Sequence, residues 1–416
     1  MIRTQFDSVI RSAVALLPLL ISGCGNDSVA DWTEMRNGSL EDTENGLLAA
    51  NGMGTINGIA PVNGIAPVNG ITLVNGLGTG NGLTLTKSLL AAGSLASDTG
   101  LMTFPGGRLM VKYLAKCALS SGQFFTRTDQ NGTSYPFFGD LNVAPSWSLG
   151  ACDAACQEKV TACLMALTNS TGRHVGVELV SAAPGLTFVG ASGNDIDYPN
   201  QEGTVFGNLF ASPPKMFTCT GTESTKAEQV KRHCIDDVQC DLFTKVGSCA
   251  TACTQSCTKG PGGKNVCSAK SCKDPSGKSW AYPITVFLHN KMEAFNGDSQ
   301  SGVVTYGTPG SGNQGILSVD NGDWVQMDEV QFDGGPMNTA VATMATTTSG
   351  NFIDIHLDSL TGPLLGSIAI QSTGDLNTFG AQTGAINTAG ITGRHSVVFA
   401  FRGGSSFGVI TYFELK

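Results

Sequence analysis

The sequence predicts a mainly β protein in three parts: a tether of Asn-Gly hexads, a disulfide-rich α+β domain, and a C-terminal β-sandwich. Three observations predict it. From Val303 onward, short apolar-polar alternations are separated by Gly-, Asn- and Ser-rich turns, the pattern of antiparallel strands packed as a sandwich. Charged residues make up only 14% of the chain while glycines number 54, a pairing that suits extracellular β-rich modules better than a helical cytoplasmic enzyme. Thirteen cysteines, eight of them between Cys219 and Cys272, have the density of a small stapled domain. The net charge of -9, with no Lys/Arg cluster, offers no footprint for nucleic acid.

The N-terminus sets the compartment in which those cysteines are read. Arg3 and Arg11 precede an apolar run from Ala13 to Ile21 that is too short for a membrane-spanning helix and is laid out like a secretory signal. The run ends in Leu20-Ile21-Ser22-Gly23-Cys24, which resembles a lipobox. Residues 1–23 are therefore expected to be a lipoprotein signal peptide and Cys24 the lipidated residue. The expected location is the cell envelope, at the outer membrane or cell surface, with the membrane reached through the lipid. Setting Cys24 aside leaves an even twelve cysteines, so six disulfides are expected in an oxidising compartment. Metal is the rival reading: Cys249, Cys253 and Cys257 recur every four residues, as do Cys152 and Cys156, which on a helix would share one face. The CxxxC spacing matches no common zinc knuckle, and His174 and His233 lack paired spacing.

Residues 24–85 carry the repeat. Asn-Gly recurs at Asn45, Asn51, Asn57, Asn63, Asn69, Asn75 and Asn81, so each hexad reads as a tight turn plus a short extended piece. A hexapeptide β-helix needs about three hexads per coil, and seven give little more than two coils. The reading taken is a turn-rich tether that lifts the folded domains off the membrane, provided that its Ile, Leu and Val residues are not drawn into the next domain.

Residues 100–280 are expected to form the disulfide-rich domain, which resembles uncharacterised bacterial surface lipoproteins. Arg108 to Cys117 alternates like a strand. Ala151 to Thr168 reads as an amphipathic helix with Val160, Cys163, Leu164 and Leu167 on one stripe. Further strands are expected at 175–180 and 205–210. The search for catalysis names no residue. Gly190-Ala-Ser192-Gly-Asn194 places its second glycine one position too early for a nucleophile elbow, no H-E-x-x-H occurs, and Gly76-Leu-Gly78-Thr-Gly80 lies inside the hexads. Asp195, Asp197 and Glu202 read as a polar loop, with a calcium loop or a glycosidase carboxylate pair as alternatives.

The C-terminal part, 285–416, is the most informative. The phrases Val319-Asp-Asn-Gly-Asp-Trp324-Val, Ile353-Asp-Ile-His-Leu-Asp358, Ser372-Thr-Gly374, Gly390-Ile-Thr-Gly393-Arg-His395 and Phe399-Ala-Phe-Arg-Gly-Gly404 are similar, in order and spacing, to those of family 6 carbohydrate-binding modules. That resemblance covers 292–416. It implies a jelly-roll sandwich without enzymatic activity, often holding a structural calcium and usually binding a glycan.

Position by position, the resemblance thins. The family's loop-edge cleft sandwiches a sugar between two aromatics and orients it with an asparagine, and the corresponding positions here are Ser318, Leu376 and Val409. Of the calcium ligands only Glu293 is matched, with Phe295 and Thr411 in the other places, so calcium as a structural cofactor is expected to be weakened or lost. A second site on the sheet face is better kept, with Trp324 and Asp354 in its aromatic and acidic positions. Alternation supports it independently, placing Gln326 beside Trp324 and His356 beside Asp354. The expected partner is a polysaccharide or surface glycan, and the expected function is glycan binding by a surface lipoprotein. A hydrolase with its catalytic part in the middle domain, or an envelope protein whose module has lost its ligand, are the other classes.

Overall fold

In the computed structural model the residues described are strand segments 42–43, 46–50 and 53–54, Leu77, and 82–98, 100–103, 105–169, 176–186, 198, 200–222, 243–259, 265–288, 291–306, 315–317, 319–332, 335–405 and 407–416. Cys24 and its lipobox, the middle hexads, Asp195, Asp197, His174, His233 and Ser318 lie outside them.

The middle domain is a sheet with helices on it. Its strand order is Asp42–Thr43, Gly46–Ala50, Gly176–Val180, Ile284–Leu288, Asn200–Asn208, Lys215–Thr220, Thr244–Ser248. The strand Ile284–Leu288, on the expected border of the C-terminal part, is thus an inner strand of this sheet, antiparallel to both neighbours. Its five residues are all buried, as the uninterrupted apolar run Ile-Thr-Val-Phe-Leu requires. Helix α1 (Pro105–Ala118) and helix α2 (Ala154–Ala166) are tied by the Cys117–Cys163 disulfide, and α2 packs on the strands Asn200–Asn208 and Ile284–Leu288. Helix α2 falls where the stripe of Val160, Cys163 and Leu164 placed it, with Asp153 as its N-cap accepting a bond from the Cys156 amide.

Two expectations are corrected. The stretch from Arg108 to Cys117 is helical, not extended. Met110, Val111, Leu114, Cys117 and Ala118 form a buried stripe of period 3.6, and Pro105 opens the first turn where its missing N–H costs nothing. The hexad region is also recruited into the domain at both described ends. Gly46–Ala50 pairs with Gly176–Val180, while the Leu77 amide donates to Leu209 O at 2.8 Å and Leu77 and Leu83 are fully buried. Covering these leucines gains apolar burial that a solvated tether would forgo.

Among the described residues there are five disulfides: Cys117–Cys163, Cys152–Cys156, Cys219–Cys249, Cys253–Cys272 and Cys257–Cys267. The last two join residues directly opposite one another in the hairpin of Cys253–Lys259 and Asn265–Lys273. Cys234 and Cys240 lie outside the described residues.

The C-terminal module has eleven strands among the described residues: β1 (Lys291–Glu293), β2 (Ser299–Ser301), β3 (Val304–Tyr306), β4 (Gly315–Leu317), β5 (Trp324–Gln331), β6 (Thr339–Ala345), β7 (Phe352–Leu357), β8 (Leu364–Ala369), β9 (Gly380–Ala385), β10 (Arg394–Arg402) and β11 (Val409–Leu415). They form two facing sheets. One runs β3-β4-β11-β6-β9 with β1 also on β11, the other β2-β5-β10-β7-β8. Inward residues of both sheets make a single core of Val325, Met327, Ile353, Ile355, Phe399, Phe401, Met344, Ile410 and Phe413, among others. Phe399 stacks on Phe413 across the two layers, with ring centroids 3.9 Å apart. The turn before β5 needs its glycine: Gly322 has φ +91°, and its amide donates to Phe401 O, which aligns the start of β5 with the end of β10.

Candidate carbohydrate-binding site

The alternation that buries Val325, Ile353 and Phe399 sends their neighbours to the outer face of the five-stranded sheet. There the register brings the four expected residues together. Trp324 and Asp354 both pair with Ala400 of β10, one from each side, and Gln326 and His356 both pair with Val398. Trp324 and Asp354 are thus two strand spacings apart, about 10 Å along the sheet. The small Ala400 lies between them. Ser301 of β2 and Ser367 of β8 extend that row at its two ends. All four expected side chains are half-buried, so ring and polar groups alike meet solvent.

Each polar group is held by a neighbour. His356 Nδ1 lies 3.0 Å from Gly362 O, and because a carbonyl only accepts, this nitrogen carries the proton and leaves Nε2 as an acceptor in the neutral ring. Gln326 Nε2 and Ser396 Oγ both donate to Asp328 Oδ1, at 2.6 and 2.7 Å. Asp354 accepts from Arg402 and from Ser367, and the Arg402 hydrogen bonds, aided by Ser367 and the Arg402 charge, outweigh its burial and hold its carboxyl below the usual carboxylate range.

Sequence reasoning missed Arg402, Phe352 and Ser367. The signal was present for Arg402: residues 398, 400 and 402 of one strand must share a face, and the first two line the floor.

The loop-edge cleft carries little polar chemistry. Leu376 is 50% exposed and Phe379 43% exposed, and Val409 pairs with Ala345. Between them Asp375 Oδ1 accepts from the amides of Asn377 and Thr378, fixing the loop as an Asx turn. Nor do the residues at the calcium position fit the ion. Glu293 is buried opposite Tyr412, but Phe295 offers no oxygen and the Thr411 hydroxyl already donates to Thr343 O at 3.1 Å. Side chains here supply one carboxylate, so a calcium would need most of its six to eight oxygens from backbone carbonyls or water.

In the middle domain, the sulfurs of Cys219, Cys253 and Cys272 gather within 4.8 Å of one another. All three are in disulfides, which removes the thiolate charge that a metal would need. Glu202, grouped by sequence with a polar loop, is instead fully buried in the strand Asn200–Asn208, as is Glu178 in Gly176–Val180. Among the described helices none is long and apolar enough to cross a membrane.

The C-terminal residues thus fold as a two-sheet sandwich with a row of polar and aromatic side chains on one outer face. Residues 293–416 match the family described as "Carbohydrate binding module (family 6)", and this C-terminal domain belongs to it. An arabinoxylan arabinofuranohydrolase of Paenibacillus polymyxa is 36% identical over 122 residues, which are 28% of this chain and 19% of that protein. An endo-1,4-beta-xylanase A of Thermoclostridium stercorarium is 38% identical over 113 residues, 27% of this chain and 21% of that one. The chain thus spans about a fifth of the length of these curated relatives. Among solved structures, a family 6 module of Clostridium cellulolyticum in complex with xylose is 32% identical, covering 30% of this chain and 95% of its own, with a TM-score of 0.28. A β-1,3-glucan binding module of Bacillus halodurans is 27% identical, covering 30% and 94%, also at 0.28.

Proposed function

We propose that this protein is an exported, lipid-anchored chain that holds a polysaccharide against the outer face of the five-stranded sheet, through Trp324 and Asp354. The observation that carries this reading is their shared row, an aromatic platform and a charged acceptor on either side of Ala400. Gln326 and His356, one row along, add polar groups beside the track. Relatives named as an arabinoxylan arabinofuranohydrolase and an endo-1,4-beta-xylanase support a xylan-type β-linked glycan as the ligand class. The loop-edge cleft has Val409 where the orienting asparagine would stand, and its Leu376 lacks the ring face needed for stacking. Anchoring rests on Cys24 behind its apolar segment. The test is affinity electrophoresis of the full chain in gels containing xylan, mixed-linkage β-glucan, β-1,3-glucan or agarose. Retardation by at least one is expected. Migration unchanged by all of them would leave the module as a structural sandwich.

A further inference from the structure

Arg402 closes β10 two residues beyond Ala400, on the same outer face. It makes three contacts there. Its Nε donates to Asp354 Oδ2 at 2.6 Å, its Nη2 donates to Asp354 Oδ1 at 3.1 Å, and its guanidinium lies 4.5 Å over the ring of Phe352, its ladder partner. Ser367 Oγ donates to Asp354 Oδ1 at 2.5 Å from the other side. A carboxylate offers about four acceptor positions. Three are taken, and the one left is on Oδ2.

We propose that Arg402 is the positioning residue of the glycan site: stacked on Phe352, it clamps Asp354 so that one acceptor position stays charged and aimed beside the Trp324 platform. The inference rests on the glycan reading of this face and deepens it. An unclamped aspartate on an open sheet would rotate and hydrate, and would have to be ordered anew by each incoming sugar hydroxyl. The fork of a guanidinium, which holds both oxygens at once, removes that freedom in a way a lysine cannot.

The clamp also sets the acid limit of binding. The titratable groups facing Asp354 are Arg402 on β10 and His356 on its own strand; β8 presents Ser367, and β5 presents Trp324 across Ala400. Arg402 stabilises the charged carboxylate, so protonation is deferred to lower pH, and an acceptor that needs its charge survives into acid. Removing the guanidinium returns the carboxyl toward its usual range, and binding should then fail at a higher pH.

The experiment compares the full chain with Arg402→Met, which keeps an apolar stem over Phe352, and Arg402→Lys. The titration of Asp354 is followed by carbonyl-labelled NMR, and affinity for the retarding glycan is measured from about pH 7 down to about pH 3.5, a window spanning the ordinary aspartate range. For the wild type the affinity should be flat through the upper part of this window. Arg402→Met should bind roughly 5- to 10-fold more weakly at neutral pH, the size of one ordinary hydrogen bond, and its acid midpoint should move up together with the Asp354 titration. Arg402→Lys should restore much of the midpoint but little of the neutral affinity. If Trp324→Ala abolishes binding while Arg402→Met alters neither the affinity nor the Asp354 titration, the clamp is refuted and the glycan reading stands. If no glycan retards the wild type, both fall.

Discussion

Replacing Trp324 with alanine isolates the largest contribution to binding that the face can make. The indole is half-buried at the start of β5 and stacks on no ring among the described residues, so a sugar would lie on one open face of the ring. Covering about a third of the 150 to 250 Å² that a fully buried aromatic loses removes roughly 70 Å² from water. At about 25 cal/mol per Å² this is worth on the order of 1.5 to 2 kcal/mol. Stacking geometry adds about 0.5 to 1.5 kcal/mol. Together they predict a loss of roughly 2 to 3.5 kcal/mol, or about 30- to 300-fold in Kd. An open face desolvates its ligand poorly, so the starting affinity is expected in the upper micromolar to millimolar range, and the variant should migrate in glycan-containing gels as it does in their absence. Leu376→Ala is the control from the loop-edge cleft and should bind like the wild type. A folded Trp324→Ala chain that is retarded normally, with Leu376→Ala released, would refute the face and reinstate the cleft.

Three further outcomes are expected. Because Phe295 and Thr411 stand where carboxylates would be needed, the module's melting temperature should be the same in EDTA and in millimolar calcium; a calcium-dependent rise would show an ion bound to the native state. Phe399→Ala removes a fully buried ring stacked 3.9 Å from Phe413 and should cost about 3 to 5 kcal/mol, read as a lower denaturant midpoint at unchanged slope, and a loss under about 1 kcal/mol would contradict the packing described. Cys24→Ala should shift the exported chain from the detergent phase to the aqueous phase, and unchanged partitioning would remove the lipid anchor from the proposal.

The parts legible in the sequence were those with an unambiguous period. Trp324 and Gln326 against Val325 and Met327, and Asp354 and His356 against Ile353 and Ile355, alternate so strictly that only a strand with one buried face accommodates them, and the ladder sets them in matching rows. Arg108 to Cys117 was ambiguous. Its apolar residues fit a period of two or 3.6, and the spacing of Arg108, Lys112 and Lys116 by four was the cue for a helix. The run Ile284–Leu288 was hidden for another reason: a strand buried on both faces has no alternation, so nothing in it says which sheet it joins. Arg402 was overlooked because its value lies in a partner 48 residues away, a pairing that only the register of β7 against β10 creates.

The inner strand Ile284–Leu288 bears on how the molecule would respond to being pulled. Only residues 289 and 290 separate it from β1, so tension on a polysaccharide gripped by the module enters the middle domain through this strand. Its ladders with Gly176–Val180 and Asn200–Asn208 flank it on both sides. Drawn along its length, it shears both rows of hydrogen bonds together instead of opening one bond at a time. Traction from the other end first meets the two-residue strand Asp42–Thr43, whose ladder with Gly46–Ala50 opens one bond at a time, whereas Gly46–Ala50 itself runs parallel to Ile284–Leu288 and is loaded in shear. Pulled between its two ends, the sheet would give up the Asp42–Thr43 margin first and release a little slack before any inner strand parts.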